Sequence, residues 1–195
     1  MSEITSKEKI MRAASELFYY NGFKGTSTRA ITDKANVNVS LISYYFKNKQ
    51  GLLEQMTVDY YESYLELVEV LMQQYQPLNS HNFYHVIEEI IHYKERHFQF
   101  TCFIQRELSL DNIFIRELFS TYVAKETYYL KTIAEQITSH YQFNEMKREA
   151  FYLQFKSLIN APFTYGNEWK KSYDWDDSRK VFVNAYIDVL KKWFI

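Results

Sequence analysis

Residues 26–49 read TSTRAITDKANVNVSLISYYFKNK, the pattern of two short helices joined by a tight turn. Ser27 or Thr28 offers a hydroxyl N-cap for the first helix, and Ile31 and Ala35, one turn apart, give it an inward face. Asn36–Asn38 breaks the pattern, and Asn38 is a good N-cap for the second helix. That helix sets Ile42, Tyr45 and Phe46 on one side and Ser40, Ser43 and Tyr44 on the other. Outward hydroxyls on a short helix, flanked by Arg29, Lys34, Lys47 and Lys49, suit entry into a DNA major groove. The pair is too small to fold alone, so its neighbours must hold it.

On the N-terminal side, Thr5 with Glu8 three residues on is a capping box. Ile10, Ala13, Ala14, Leu17 and Phe18 then keep helical spacing until Asn21-Gly22, a C-terminal stop; nothing before that dipeptide alternates as a hairpin strand would. On the C-terminal side, Asn48 caps a long helix carrying Leu52, Leu53, Met56, Tyr60, Tyr64, Leu67, Val68 and Leu71 on one stripe, ending before Pro77. With no Gly-, Pro- or Ser-rich linker after the reader pair, this rod is a candidate for mechanical coupling between reader and body.

The rest of the chain is also helical by period. Ser80 caps a helix with Phe83, Val86, Ile87, Ile90 and Ile91 inward, and a kink near His97 leads to a shorter helix over 98–109. Asp111 or Asn112 starts another long helix, and Asn144 caps one that stops near Pro162. Residues 163–175 read as a loop rich in aromatics, and a last helix from about Asp176 ends with Lys191 and Lys192, matching the helix dipole. This is an all-α chain of about nine helices, an N-terminal helix-turn-helix domain over 1–48 and a helical regulatory and dimerisation domain over 49–195.

Composition agrees. The 195 residues are 47% hydrophobic, with 18 Tyr, 15 Phe, four Gly and two Pro, too few turn formers for an all-β fold. The net charge of −1 gives no global nucleic-acid signal, but residues 1–50 carry eight basic and four acidic side chains, leaving the body acidic. Cys102 is the only cysteine, which excludes a disulfide framework and fits a reducing compartment. No apolar run approaches a membrane span and the N-terminus lacks a signal-peptide core, so a cytoplasmic, nucleoid-associated protein is expected. No phosphate-binding Gly-rich loop, G-x-S-x-G elbow or H-E-x-x-H is present, so no enzyme and no cofactor are expected. His85 and Glu89 have a metal-like spacing beside His81, Glu88 and His92, but isolated helix histidines are usually surface residues, and no metal site is expected.

The order Gly22-Phe23, Thr26-Ser27, Ile31, Ala35, Val37, Tyr44-Tyr45-Phe46, Lys49, Leu52 resembles the TetR family of transcriptional regulators. Asn36 and Ser43 depart from the family's usual residues, which leaves the operator open. ISYYFKNKQGLLE, YYESYLELVE and RELSLDNIFIRELFSTYVAKETYYL are in turn similar to RefZ-type regulators of Gram-positive bacteria, TetR-like proteins that bind DNA motifs and influence the FtsZ division ring.

The resemblance implies a DNA contact set. Arg29 stands where some members pair with guanine. Val39, Ser40 and Leu41 stand at base-facing positions, and Thr28, Ser43, Tyr44, Tyr45 and Lys49 at phosphate-contact positions. Leu41 and Tyr45 are equally good core residues, and Lys47 and Lys49 equally ordinary surface ones. The resemblance also implies an effector pocket in the body, for which Tyr60, Tyr64, Phe100, Phe103, Arg106, Tyr122 and Tyr129 are candidates, against a plainly filled aromatic core.

The final two helices are apolar over a wide arc. Pairing with the same helices of a second copy, through Phe151, Phe155, Leu158, Phe182, Ala185, Val189 and Trp193, would cover them; burial within one monomer is the alternative. Two functions stand: a repressor that binds a near-palindromic operator as a homodimer and answers a small-molecule effector, or a DNA-bound adaptor whose body contacts a division protein.

Overall fold

The computed structural model describes residues 4–109, 113–172 and 178–194. Their regular structure is helical: α1 (Ser6–Asn21), α2 (Thr28–Ala35), α3 (Ser40–Phe46), α4 (Lys49–Gln74), α5 (Ser80–Arg96), α6 (Phe98–Ser109), α7 (Ile113–Thr138), α8 (Glu145–Thr164), α9 (Gly166–Ser172) and α10 (Ser178–Phe194). No helix among them is long and apolar enough to cross a membrane. Backbone packing groups Met1–Glu62 with Gln99–Phe119 in one unit and Ser63–Phe98 with Ser120–Ile195 in a second, so residues of α4 and α7 are shared between the two. Within the first unit α6 is grouped with the N-terminal helices, and Arg106 reaches the end of α1.

In the first unit α1 packs on α2 and α3. The capping box forms, with Thr5 Oγ1 accepting from Glu8 N–H and Glu8 accepting from Thr5 N–H. Those bonds hold the Glu8 carboxyl below its ordinary range. Ile10, Ala14, Phe18, Ile31, Ile42, Phe46, Leu52 and Leu53 are buried. Phe18 stacks on Phe103 of α6 at 5.4 Å, and Tyr60 meets Phe100 edge-on at 5.6 Å.

In the second unit α8 and α10 pack against α5, and α9 against α8. The core is aromatic, including Phe83, Phe155 and Phe163, with Trp169 stacked on Phe182 at 4.2 Å. A buried ion pair lies inside it. Lys94 is 2% exposed; its Nζ donates to Asn160 Oδ1 at 2.9 Å and Glu126 Oε1 at 3.2 Å, and lies 4.8 Å from the Tyr64 ring centroid. Burial alone would push the Glu126 carboxyl up; Lys94 beside it and hydrogen bonds from Tyr64 and Lys94 outweigh that and hold it below the ordinary carboxylate range.

Two sequence expectations are corrected here. Residues 163–175 are not simply a loop: α8 runs through Pro162 to Thr164, and Gly166–Ser172 is a further helix. Proline lacks the N–H that would bond Leu158 O, and the Tyr186 hydroxyl supplies the missing donor at 2.8 Å. Trp169 Nε1 in turn donates to Pro162 O at 2.8 Å, fixing α9 to the end of α8. The cap of α5 is Asn79 rather than Ser80, since Asn79 Oδ1 accepts from Asn82 N–H and Asn82 Oδ1 from Asn79 N–H. Asp111, Asn112, Tyr173, Trp175 and Asp176 lie outside the described residues.

Candidate nucleic-acid interface

The reader is built from its caps. Ser27 Oγ accepts from Ala30 N–H at 3.0 Å and starts α2; Asn36, in the left-handed region at φ 52, ends it. Asn38 Oδ1 then accepts from both the N–H and the hydroxyl of Ser40, at 2.9 and 2.8 Å, so Asn38 opens α3 although Val39 is already helical. Asn48 Oδ1 accepts from Gly51 N–H at 2.9 Å at the start of α4. A Cβ on Gly51 would meet Phe46 O at 2.1 Å, so only glycine lets α3 run this closely into α4.

Ile31, Ala35, Ile42 and Phe46 form the buried underside of the pair. The opposite face is open. The Arg29 side chain is 87% exposed, with Asp33 a loose 3.9 Å away, and Tyr44 is 78% exposed. Val39, Ser40, Ser43 and Tyr45 are exposed beside them, while Leu41 and Thr28 are half-buried. Tyr45, grouped with the inward side by its spacing, is on the open side: its ring meets that of Tyr44 edge-on at 4.8 Å. An exposed pair of tyrosines beside an arginine presents stacking faces, hydroxyl donors and a guanidinium fork, a combination that engages phosphates and base edges.

Lys49 is placed differently from the rest of the expected contact set. Its ammonium is turned inward, donating to Phe23 O at 2.7 Å and Thr26 O at 2.6 Å, with the Phe23 ring centroid 4.3 Å away, and burial lowers its pKa. Lys34 is likewise engaged, with Glu16 at 2.7 Å. Thr26, which the pattern did not single out as more than a helix opener, is 2% exposed and donates to Gly22 O at 2.8 Å and Leu17 O at 3.1 Å. The α1–α2 corner is therefore a nest of carbonyls satisfied by side chains.

The seven effector-pocket candidates are divided between the two units. Tyr60, Phe100, Phe103 and Arg106 belong to the first unit, and Tyr64, Tyr122 and Tyr129 to the second. The Tyr60 hydroxyl pairs with Thr101 Oγ1 at 3.1 Å, and Arg106 donates to Phe18 O and Tyr19 O, both at 2.7 Å. Tyr64 is buried beside Lys94, and the Tyr129 hydroxyl donates to Glu69. His85 pairs with Glu88 at 3.2 Å, and among the described residues no group of three metal-ligating side chains converges.

Of the residues expected at a two-fold interface, Phe155 is 2% exposed, with the Phe83 ring at 5.1 Å. Phe151, Leu158 and Phe182 are half-buried, and Ala185 and Val189 exposed; the Trp193 side chain lies outside the described residues. Phe83, Phe151, Leu153, Gln154, Phe155, Ser157 and Leu158 line an open groove of about 590 Å³ along α8.

Comparison with known proteins places these features. The family described as bacterial regulatory proteins, tetR family, matches residues 10–56, which span α1, α2, α3 and the start of α4. YttP of Bacillus subtilis (strain 168), described as a probable HTH-type transcriptional regulator, is 32% identical over 192 residues, covering 98% of this chain and 93% of its own length. Among solved structures, the TetR family transcriptional regulator PfmR from Thermus thermophilus superposes with a TM-score of 0.68 at 15% identity, covering 95% of each chain. The Bacillus subtilis transcriptional regulator FadR, solved in complex with stearoyl-CoA, superposes with a TM-score of 0.64 at 19% identity, covering 93% of this chain and 96% of its own.

Proposed function

This chain belongs to the TetR family of DNA-binding transcriptional regulators, and from that premise we propose that it is a repressor that binds a near-palindromic operator as a two-fold dimer. The observation that carries the reading is the open face of α2 and α3, where Arg29 and Tyr44 stand almost fully exposed over a tightly capped and buried underside. In this reading Arg29 pairs with a guanine, Ser40 and Val39 face base edges, and Ser43, Tyr44 and Tyr45 meet phosphates. Lys49 is assigned no phosphate, because its ammonium is turned to backbone carbonyls.

The second copy is assigned to the α8–α10 face. Leu153, Val181 and Val189 are about half exposed there, at 53%, 53% and 50%, and the open groove beside Phe151 and Leu158 is apolar. A two-fold partner covers such a face with its own copy and spaces two readers about one helical turn apart. Leu153→Glu with Val189→Glu is expected to shift the sedimenting species from dimer to monomer and to abolish tight operator binding.

The direct test is in vitro selection of bound duplexes followed by titration. Tyr44→Ala is expected to weaken all sequences by about tenfold, whereas Arg29→Ala costs ~1–3 kcal/mol at one base pair of each half-site and relaxes preference there. Equal loss for both variants across every base substitution sinks the division of roles.

A second reading, a DNA-bound adaptor acting on a division protein, is favoured by one observation: side chains considered for an effector pocket have partners within the protein, Tyr60 with Phe100 and the Thr101 hydroxyl and Arg106 with backbone. Genome-wide mapping separates the two. Bound sites beside one operon support a local repressor; dispersed sites away from promoters support the adaptor.

A further inference from the structure

The last turn of α1 contains no basic residue, yet its carbonyls carry the negative end of the helix dipole. The missing cation comes from α6. Arg106, 87 positions from Tyr19, sets one guanidinium nitrogen 2.7 Å from Tyr19 O and the other 2.7 Å from Phe18 O. Phe18 O also accepts from Gly22 N–H at 2.9 Å, so its two lone pairs are both used. Gly22 sits directly beneath: at φ 71 and ψ 171 its backbone is in a region open to glycine, and a Cβ there would lie 3.7 Å from the Arg106 guanidinium and 3.5 Å from the Glu107 carboxylate. The ion pair between Arg106 and Glu107 is long, 3.7 Å, so the short contacts of the guanidinium are to backbone. The two carbonyls Arg106 holds adjoin the corner that Thr26 and Lys49 close, where α1 hands the chain to α2.

We propose that Arg106 is the positioning residue through which α6 sets the orientation of the DNA reader: it caps α1 from another helix, and the reader is held in its DNA-competent pose only while α6 keeps the guanidinium on Phe18 O and Tyr19 O. A planar fork aimed at two adjacent carbonyls is sensitive to displacement, because hydrogen bonds weaken steeply with distance and angle. A shift of α6 by an ångström or more therefore uncaps α1 and loosens the α1–α2 corner. This makes α6 a control point for DNA binding without any contact between α6 and DNA. The inference rests on the reading of α2 and α3 as the DNA-binding face.

The test uses the full chain and the duplex it selects from a random library. Arg106→Gln is expected to weaken binding by about tenfold while leaving the slope of log affinity against log salt unchanged, since no phosphate contact is lost. Amide exchange is expected to speed up at residues 18–26 and not elsewhere, and Arg106→Lys, which reaches one carbonyl but not both, is expected to recover part of the affinity. Should Arg106→Gln fail to fold, Arg106→Lys decides, with an expected loss of about threefold and the same local exchange. Wild-type affinity in Arg106→Gln, a salt slope reduced by about one, or exchange raised throughout the chain with no rescue by lysine would each overturn the proposal. Tyr44→Ala weakening binding while Arg106→Gln does not overturns the positioning role alone; failure of the wild-type chain to select any duplex overturns the DNA-binding reading and the proposal together.

Discussion

Both units hold helices together with a cation, and they place it differently. In the first, Lys49 and Arg106 are only partly buried and donate to backbone carbonyls at the α1–α2 corner. In the second, Lys94 is enclosed and donates to a carboxylate and an amide contributed by α7 and α8. A neutral backbone carbonyl that loses its donor costs the desolvation of one polar group; an enclosed carboxylate that loses its cation leaves a buried charge, which costs far more. The corner of the reader can therefore rearrange at modest cost, whereas the second unit's interior tolerates no such loss. That contrast fits a reader whose pose is adjustable and a body that keeps its register.

Swapping each cation for methionine puts the contrast to the test. Lys94→Met is expected to cost ~3–5 kcal/mol in urea unfolding, because Glu126 is left charged and enclosed, and Lys94→Met with Glu126→Leu is expected to return most of that loss. A single-variant loss under ~1 kcal/mol would mean that Glu126 finds water and that the interior is not closed.

The pH profile sharpens the same point. Glu126 has its folded pKa below the ordinary carboxylate value, so its stabilising contribution is present above that value and is lost as pH falls through the depressed one. Between about pH 6 and about pH 3 the wild-type urea midpoint is expected to fall more steeply than that of Glu126→Gln. Parallel profiles would show that other carboxylates dominate.

Next in size comes Tyr186→Phe. It removes the hydroxyl that serves the carbonyl orphaned by Pro162, and burial already pushes that hydroxyl's pKa up to about 12. A loss of ~1–2 kcal/mol in thermal or urea unfolding is expected. Lys49→Met is expected to be smallest, about 1 kcal/mol, since the groups left without a donor are neutral carbonyls rather than a charge. A Lys49→Met loss as large as that of Lys94→Met would erase the distinction between the units.

Much of the reader was legible in the chain because its determinants are local. Thr5 with Glu8, Ser27, Asn38, Asn48 and Asn144 each act within three residues of themselves, so the helix starts could be read residue by residue. The buried underside of α2 and α3 follows from spacing in the same way, apart from Tyr45, which is exposed with its ring against that of Tyr44. Pro162 is a stop signal by its local chemistry, and the hydroxyl that lets α8 continue comes from Tyr186 on another helix. The pose of Lys49 is not legible for a related reason: the carbonyls it meets are 23 and 26 positions away.

The sequence by itself determined an all-helical chain, its family and the face of α2 and α3 that is turned outward, because helical period, N-caps and an ordered motif act over a few residues. Only the tertiary structure decided where Lys49, Lys94 and Arg106 direct their charge and which helices travel with the reader. Those choices depend on carbonyls and carboxylates brought within 3.2 Å from distant parts of the chain, and a lysine or arginine reads the same in sequence whether it meets water, phosphate or backbone.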